Sequence, residues 1–166
     1  MITRQQAIDL LTSDDLIGIG MEADAVRRKL HPHGVVSYAV EGEVGLSTTI
    51  EFLHGEDVEE RINQLERLRR VQEESGSVTV CKPGLSEGSA VEYLKLLAIS
   101  RIYLENISNI QTSSEVASGL KICQIALRFG ANDISGPTEE ELRRLIRDAG
   151  FVPKRRDASF RTLFLN

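Results

Sequence analysis

A chain of 166 residues, 41% apolar and 27% charged, is long enough for one domain with its own core, and we read residues 1–166 as that domain. A formal charge of −5 argues against non-specific nucleic-acid binding, which needs a net basic face; no apolar run approaches the ~20 residues of a membrane span. The N-terminus has no secretory h-region, and Cys81 and Cys123 alone make no disulfide framework, so a cytoplasmic location is expected.

Thr3 and Gln6 have capping-box spacing, which predicts a helix over about 4–12. A second helix runs over about 20–30 and is ended by Pro32 and Gly34. Val35 to Val40 and Leu46 to Phe52 are β-rich, with only Glu41 to Gly45 between them. A parallel connection needs about a dozen residues or more, so if these strands pair with each other they form an antiparallel hairpin at 35–53. The longest helix spans about 56–75 and stops at Gly76. Ser77 to Cys81 is a strand closed by Pro83 and Gly84. A helix over about 89–104, a strand at Asn109–Ser113, a helix at Leu120–Phe129 and a strand at Ala131–Ser135 follow. Thr138 and Glu141 box the start of a helix that ends at Gly150, and Phe151 to Phe164 is extended. Strand and helix alternate from residue 46 onward, the mark of βα units on a largely parallel sheet.

Nucleotide-binding glycine loops are missing. His31-Pro32-His33 offers two imidazoles, but a metal site needs a third or fourth ligand; the plainer reading is a polar turn, and no metal or other cofactor is expected. Cys81 and Cys123 read as small apolar packing groups. Lys154-Arg155-Arg156 reads as a solvated basic run. Asn109, Gln111, Asn132 and Asp133 lie on or beside short strands. Strand C-terminal ends carry the ligand site in sheets of this kind, which makes these four candidate substrate-binding residues, with ordinary loop capping as the alternative.

Several stretches have a familiar order. Ala25-Val26-Arg27-Arg28-Lys29-Leu30-His31-Pro32, Gly34-Val35-Val36 and Tyr38 come first. Arg101-Ile102-Tyr103-Leu104, Asn106-Ile107 and Asn109-Ile110-Gln111 are the most specific. Gly130-Ala131-Asn132-Asp133, Glu140 to Ile146 and Ala149 to Pro153 with Arg156-Asp157 follow. Together they resemble the radical-SAM enzymes of the futalosine route to menaquinone, the dehypoxanthine futalosine cyclase and aminofutalosine synthase family. The related deazaflavin-cofactor synthases are similar but further away. The resemblance implies a (β/α) barrel, a SAM-binding iron–sulfur cluster on a Cys-x3-Cys-x2-Cys loop, and a nucleoside-like substrate. That loop should follow the strand containing Tyr38, yet Glu41 to Gly45 leads straight into what resembles a much later strand. A second gap falls after Ser135-Gly136. Without three closely spaced thiolates the iron has no seat, so radical-SAM catalysis by these residues alone is not expected.

A complete eight-stranded barrel uses about 250 residues. The fold expected here is therefore α/β: a partial (β/α) barrel of about five to six mostly parallel strands behind an N-terminal helical pair. The five-residue connection should not carry the chain from the first strand to the far edge of such a sheet. Either the hairpin forms or the first strand pairs in a second chain. Open edges point the same way, to a homodimer with exchanged elements. Three functions compete: a cluster-free protein that binds a nucleoside-like molecule near Gln111, Asn132 and Asp133; a structural subunit pairing with itself or a full-length radical-SAM partner; and a new enzyme using His31, His33 or Asp133 as acid or base.

Overall fold

Short β-rich runs alternating with capped amphipathic helices give twelve elements in the computed structural model, which describes residues 1–115, 117 and 119–163. Helices α1 (Arg4–Thr12) and α2 (Leu16–Leu30) precede strand β1 (Val35–Val40). Then come β2 (Thr48–Leu53), α3 (Val58–Ser75), β3 (Val80–Ser86), α4 (Ala90–Tyr103), β4 (Asn109–Ser113), α5 (Leu120–Ala126), β5 (Asp133–Gly136), α6 (Glu139–Asp148) and β6 (Val152–Arg155). Thr3 and Gln6 close the expected capping box on α1, and Gly76 ends α3 in a left-handed conformation at φ 61°. At α6 Thr138 accepts from the Glu141 N–H, but the Glu141 carboxylate accepts from the Thr138 hydroxyl, so the expected box is only half formed.

The six strands form one all-parallel sheet in the order β2-β3-β4-β5-β1-β6. Successive crossovers from β2 to β5 advance in one direction, and the right-handed rule puts their helices on one face. That face is apolar. Val36, Tyr38, Ile50, Phe52, Cys81, Ile110 and Ile134 are buried there at alternate positions. Helix α4 is buried almost all round, because α1 and α2 cover its outer side. Lys95 escapes by donating to the Leu11 and Ser13 carbonyls at 2.8 and 2.6 Å.

Two expectations about β1 fail. No hairpin forms at 35–53, because both edges of β1 are taken by β5 and β6 of its own chain. The connection does reach the far edge. Strand β2 begins at Thr48, so eight Cα steps separate it from Val40. Eight extended steps reach about 27 Å, against about 19 Å for four interstrand spacings. The link therefore has reach to spare, and it begins with a turn in which the Glu43 N–H donates to the Val40 carbonyl.

Two further differences have local causes. Strand β3 runs through Pro83 instead of closing there. The His54 N–H donates to the Ser86 carbonyl, so odd-numbered residues of β3 turn their backbone groups toward β4. The β3–β4 ladder ends at the Cys81–Ile110 pair, and the missing Pro83 N–H costs no hydrogen bond. Of the extended tail, only Val152–Arg155 is a strand; the chain then turns, and Arg156 and Thr162 pair antiparallel. Phe164 lies outside the described residues.

Candidate functional site

Alternation along the strands puts a second set of side chains on the sheet face away from the helices. In register are Gln111 of β4, Asp133 of β5 and Ser37 of β1. Gln111 Nε2 donates to Asp133 Oδ2 at 2.7 Å and Ser37 Oγ donates to Oδ1 at 2.6 Å. Arg156, just past β6, adds a two-pronged pair, Nε to Oδ1 at 2.6 Å and Nη2 to Oδ2 at 2.7 Å. Asp133 is fully buried and Arg156 is 2% exposed. Arg156 aligns with Ala39 of β1 and reaches back past it; the small Ala39 and Ser37 leave room for a guanidinium to cross β1.

Arg156 also gathers the loops. Its Nη1 donates to the Val44 carbonyl at 2.9 Å and the Asp157 carbonyl at 3.0 Å, and its guanidinium stacks 3.9 Å from the Phe160 ring centre. Gly45 packs so closely on Ala158 that an added Cβ would lie 2.8 Å from the alanine Cβ. Link 41–47 and the turn after β6 thus meet over this part of the sheet. One acceptor there is unspent: Gln111 Oε1 is buried and has no hydrogen-bond partner among the described residues. Toward β2 the same face is open, with Thr49, Glu51 and Leu53 exposed.

The other two candidates belong to a separate cluster. Asn132 Oδ1 accepts from Arg101 Nη2 at 2.5 Å and from the Ile110 N–H at 2.9 Å, and its Nδ2 donates to Asn109 Oδ1 at 2.8 Å. Asn109 Nδ2 donates to the Thr79 carbonyl. Arg101 spends its remaining donors on the carbonyls of Gly130, Ile107 and Ser108 at 2.7, 3.3 and 3.1 Å. Burial, aided by nearby Arg27, works against the charge on Arg101. This cluster ties turns together at strand N-terminal ends. Asn109, Asn132 and Asp133 all lie at those ends rather than at the C-terminal ends that the barrel analogy suggested.

Beside it is a cavity of about 390 Å³ lined by His31, His33, Ser37, Asn109, Asn132 and Phe160, among others. His31 Nε2 is engaged with the Ser108 carbonyl at 2.7 Å. Burial is the main cause of its lowered pKa. Sequence reasoning missed Ser37 and Arg156. The basic run is not uniformly solvated: Arg155 pairs with Glu43 and Glu139, Arg156 is buried, and only Lys154 is exposed. The signal available was strand alternation, which separates 154 and 156 from 155.

An iron–sulfur cluster does not fit these residues. The two thiols are on the helix side of the sheet, Cys81 facing it from β3 and Cys123 within α5, where it accepts from Thr112 Oγ1. Both are fully buried, and burial pushes their pKa values up to about 12 and about 11, so both are protonated thiols.

A single-sided parallel sheet with its helices on one face defines an α/β protein of the βα-repeat class, and comparison with known proteins finds its relatives. Residues 65–143 match the CofH/MqnC C-terminal region. The chain is 35% identical over 153 residues to the 5-amino-6-(D-ribitylamino)uracil–L-tyrosine 4-hydroxyphenyl transferase of Archaeoglobus fulgidus, covering 72% of this chain and 44% of that protein. It is 28% identical over 196 residues to such a transferase of Methanosarcina mazei, covering 90% and 51%. It is also 28% identical over 152 residues to the cyclic dehypoxanthine futalosine synthase of Streptomyces coelicolor, covering 74% and 38%. The chain is a relative of the CofH/MqnC enzymes and spans about half the length of the curated relatives it matches. The matched region contains Arg101, Asn109, Gln111, Asn132 and Asp133; Ser37 and Arg156 lie outside it.

Proposed function

We propose that this chain is a cluster-free homologue of the CofH/MqnC enzymes that does not cleave SAM by itself and works as an accessory or structural module, assembling with itself or with a full-length relative. The observation that carries this reading is the Arg156–Asp133 pair. The carboxylate has four donors from within the chain, and Arg156 draws link 41–47 over the sheet face opposite the helices. The absence of a cysteine trio from these 166 residues supports the same reading. Purified protein reconstituted anaerobically with iron and sulfide should stay colourless and release no 5′-deoxyadenosine from SAM. A four-iron absorption spectrum with 5′-deoxyadenosine formation overturns the proposal.

The cavity beside His31, Asn109 and Phe160 favours a second reading, capture of a nucleoside-like small molecule. Under that reading a futalosine-type nucleoside raises the melting temperature; under the first it does not.

A further inference from the structure

The two edges of the sheet are finished differently. On β6, Pro153 has no N–H to offer, and the returning tail donates from the Leu163 N–H to the Arg155 carbonyl. Both are familiar ways of blunting an edge. On β2, the outward backbone groups belong to Thr49, Glu51 and Leu53, since the His54 N–H turns inward to β3. Leu53 is already served, its N–H donating to Glu56 Oε2 and its carbonyl accepting from Arg61 Nη2. Among the described residues the outward donors and acceptors of Thr49 and Glu51 remain unpaired, on a strand without proline. Beside them is a groove of about 250 Å³ between β2 and α3, lined by Thr49, Ile50, Gln64, Arg67 and Val71 among others, with Val71 48% exposed.

We propose that this edge is a self-association surface, on which β2 of a second copy pairs antiparallel about a two-fold axis through Ile50. The inference rests on the reading of the chain as a self-assembling module and names the surface. Three features select a second copy and this register. Thr49 opposite Glu51 of the other copy, and the reverse, uses all the free outward groups in four hydrogen bonds. Centring on Glu51 would set two carboxylates face to face and ask Leu53 for groups it has already spent. Centring on Thr49 would leave Glu51 opposite Ser47, outside the strand. Along α3, Glu60, Gln64, Arg67 and Val71 share one face at helical spacing, and two such helices running antiparallel about Gln64 bring Glu60 of each copy toward Arg67 of the other. Glu60 and Arg67 now pair within the chain at 3.4 Å, both largely exposed, and can exchange partners on association.

Position 49 gives a clean test, because its side chain is exposed and its N–H faces away from β3. The full chain should sediment as a dimer. Thr49→Pro should give a monomer with unchanged far-UV circular dichroism, since it deletes two of the four bonds without touching the β2–β3 ladder. Thr49→Glu, which sets like charges opposite Glu51, should weaken the dimer several-fold, and Thr49→Lys should strengthen it. A chain that stays monomeric at ~100 µM, where stable interfaces of standard size are saturated, overturns the inference. So does a dimer indifferent to all three substitutions, which would leave the accessory-module reading standing. Iron–sulfur loading with SAM cleavage would overturn that reading whatever the oligomeric state.

Discussion

Two buried guanidinium groups, Arg101 and Arg156, are satisfied by different kinds of acceptor. Arg101 is held by three backbone carbonyls and an Asn132 amide oxygen, with no carboxylate in salt-bridge range among the described residues. Arg156 has the full carboxylate of Asp133. Neutral acceptors satisfy the N–H groups but leave the charge uncompensated, which suits a fixed clasp joining the turns at Ile107–Ser108 and Gly130. A buried ion pair is more demanding: desolvation is repaid only while both partners are present. Arg156 and Asp133 come from opposite sides of β1, so their pairing registers three strands at once. The clasp lies within the segment matched to the CofH/MqnC family, whereas Arg156 lies beyond it.

The contrast can be broken by mutation. Asp133→Ala should cost about 3–5 kcal/mol in urea unfolding, because it leaves Arg156 buried without a counter-charge. Replacing Arg156 by Leu in that background should recover part of the loss. Asn132→Ala should cost less, about 1–3 kcal/mol, because it strands neutral and charged donors beside carbonyls that remain in place. Equal losses at the two sites would end the distinction.

Acid should sharpen the comparison, with a smaller effect. His31 and Arg101 share the Ser108 carbonyl, and burial holds the His31 pKa below its usual 6.5. The unfolded chain therefore binds the proton more readily than the folded one. Stability from this source is complete above about pH 6.5 and falls as pH drops through the lowered folded value. Unfolding curves from pH 7.5 to 5 should show this loss in the wild type, and His31→Gln should flatten it.

Most of the architecture was legible from local signals. Capping boxes, a helical period over about 56–75 and β-branched runs located most elements, although α2 starts earlier than expected, β3 runs further and the tail strand is much shorter. The resemblance to the CofH/MqnC enzymes was readable in Arg101 to Gln111 and Gly130 to Asp133. The position of β1 was not legible, because strand order depends on how far a short link can stretch. Of the four candidate substrate-binding residues, Gln111 and Asp133 come together on one face, whereas Asn109 and Asn132 belong to the Arg101 clasp. Two alternating residues on separate strands look alike in sequence whether they serve a ligand or an internal arginine. Arg156 was hidden in a basic run whose members point to opposite faces.

The insertion of β1 between β5 and β6 has a consequence for the order in which the chain can fold. Ser37 meets Asp133 across 96 positions of sequence, and its other neighbour strand ends at Arg155. At about 5–20 residues per second on the ribosome, Val35-Val36-Ser37-Tyr38-Ala39-Val40 waits several seconds for partners. The units from β2 to β5 can meanwhile dock one after another. Such a long separation between contacting residues predicts slow final closure, with this hydrophobic hexapeptide as the segment most in need of a chaperone.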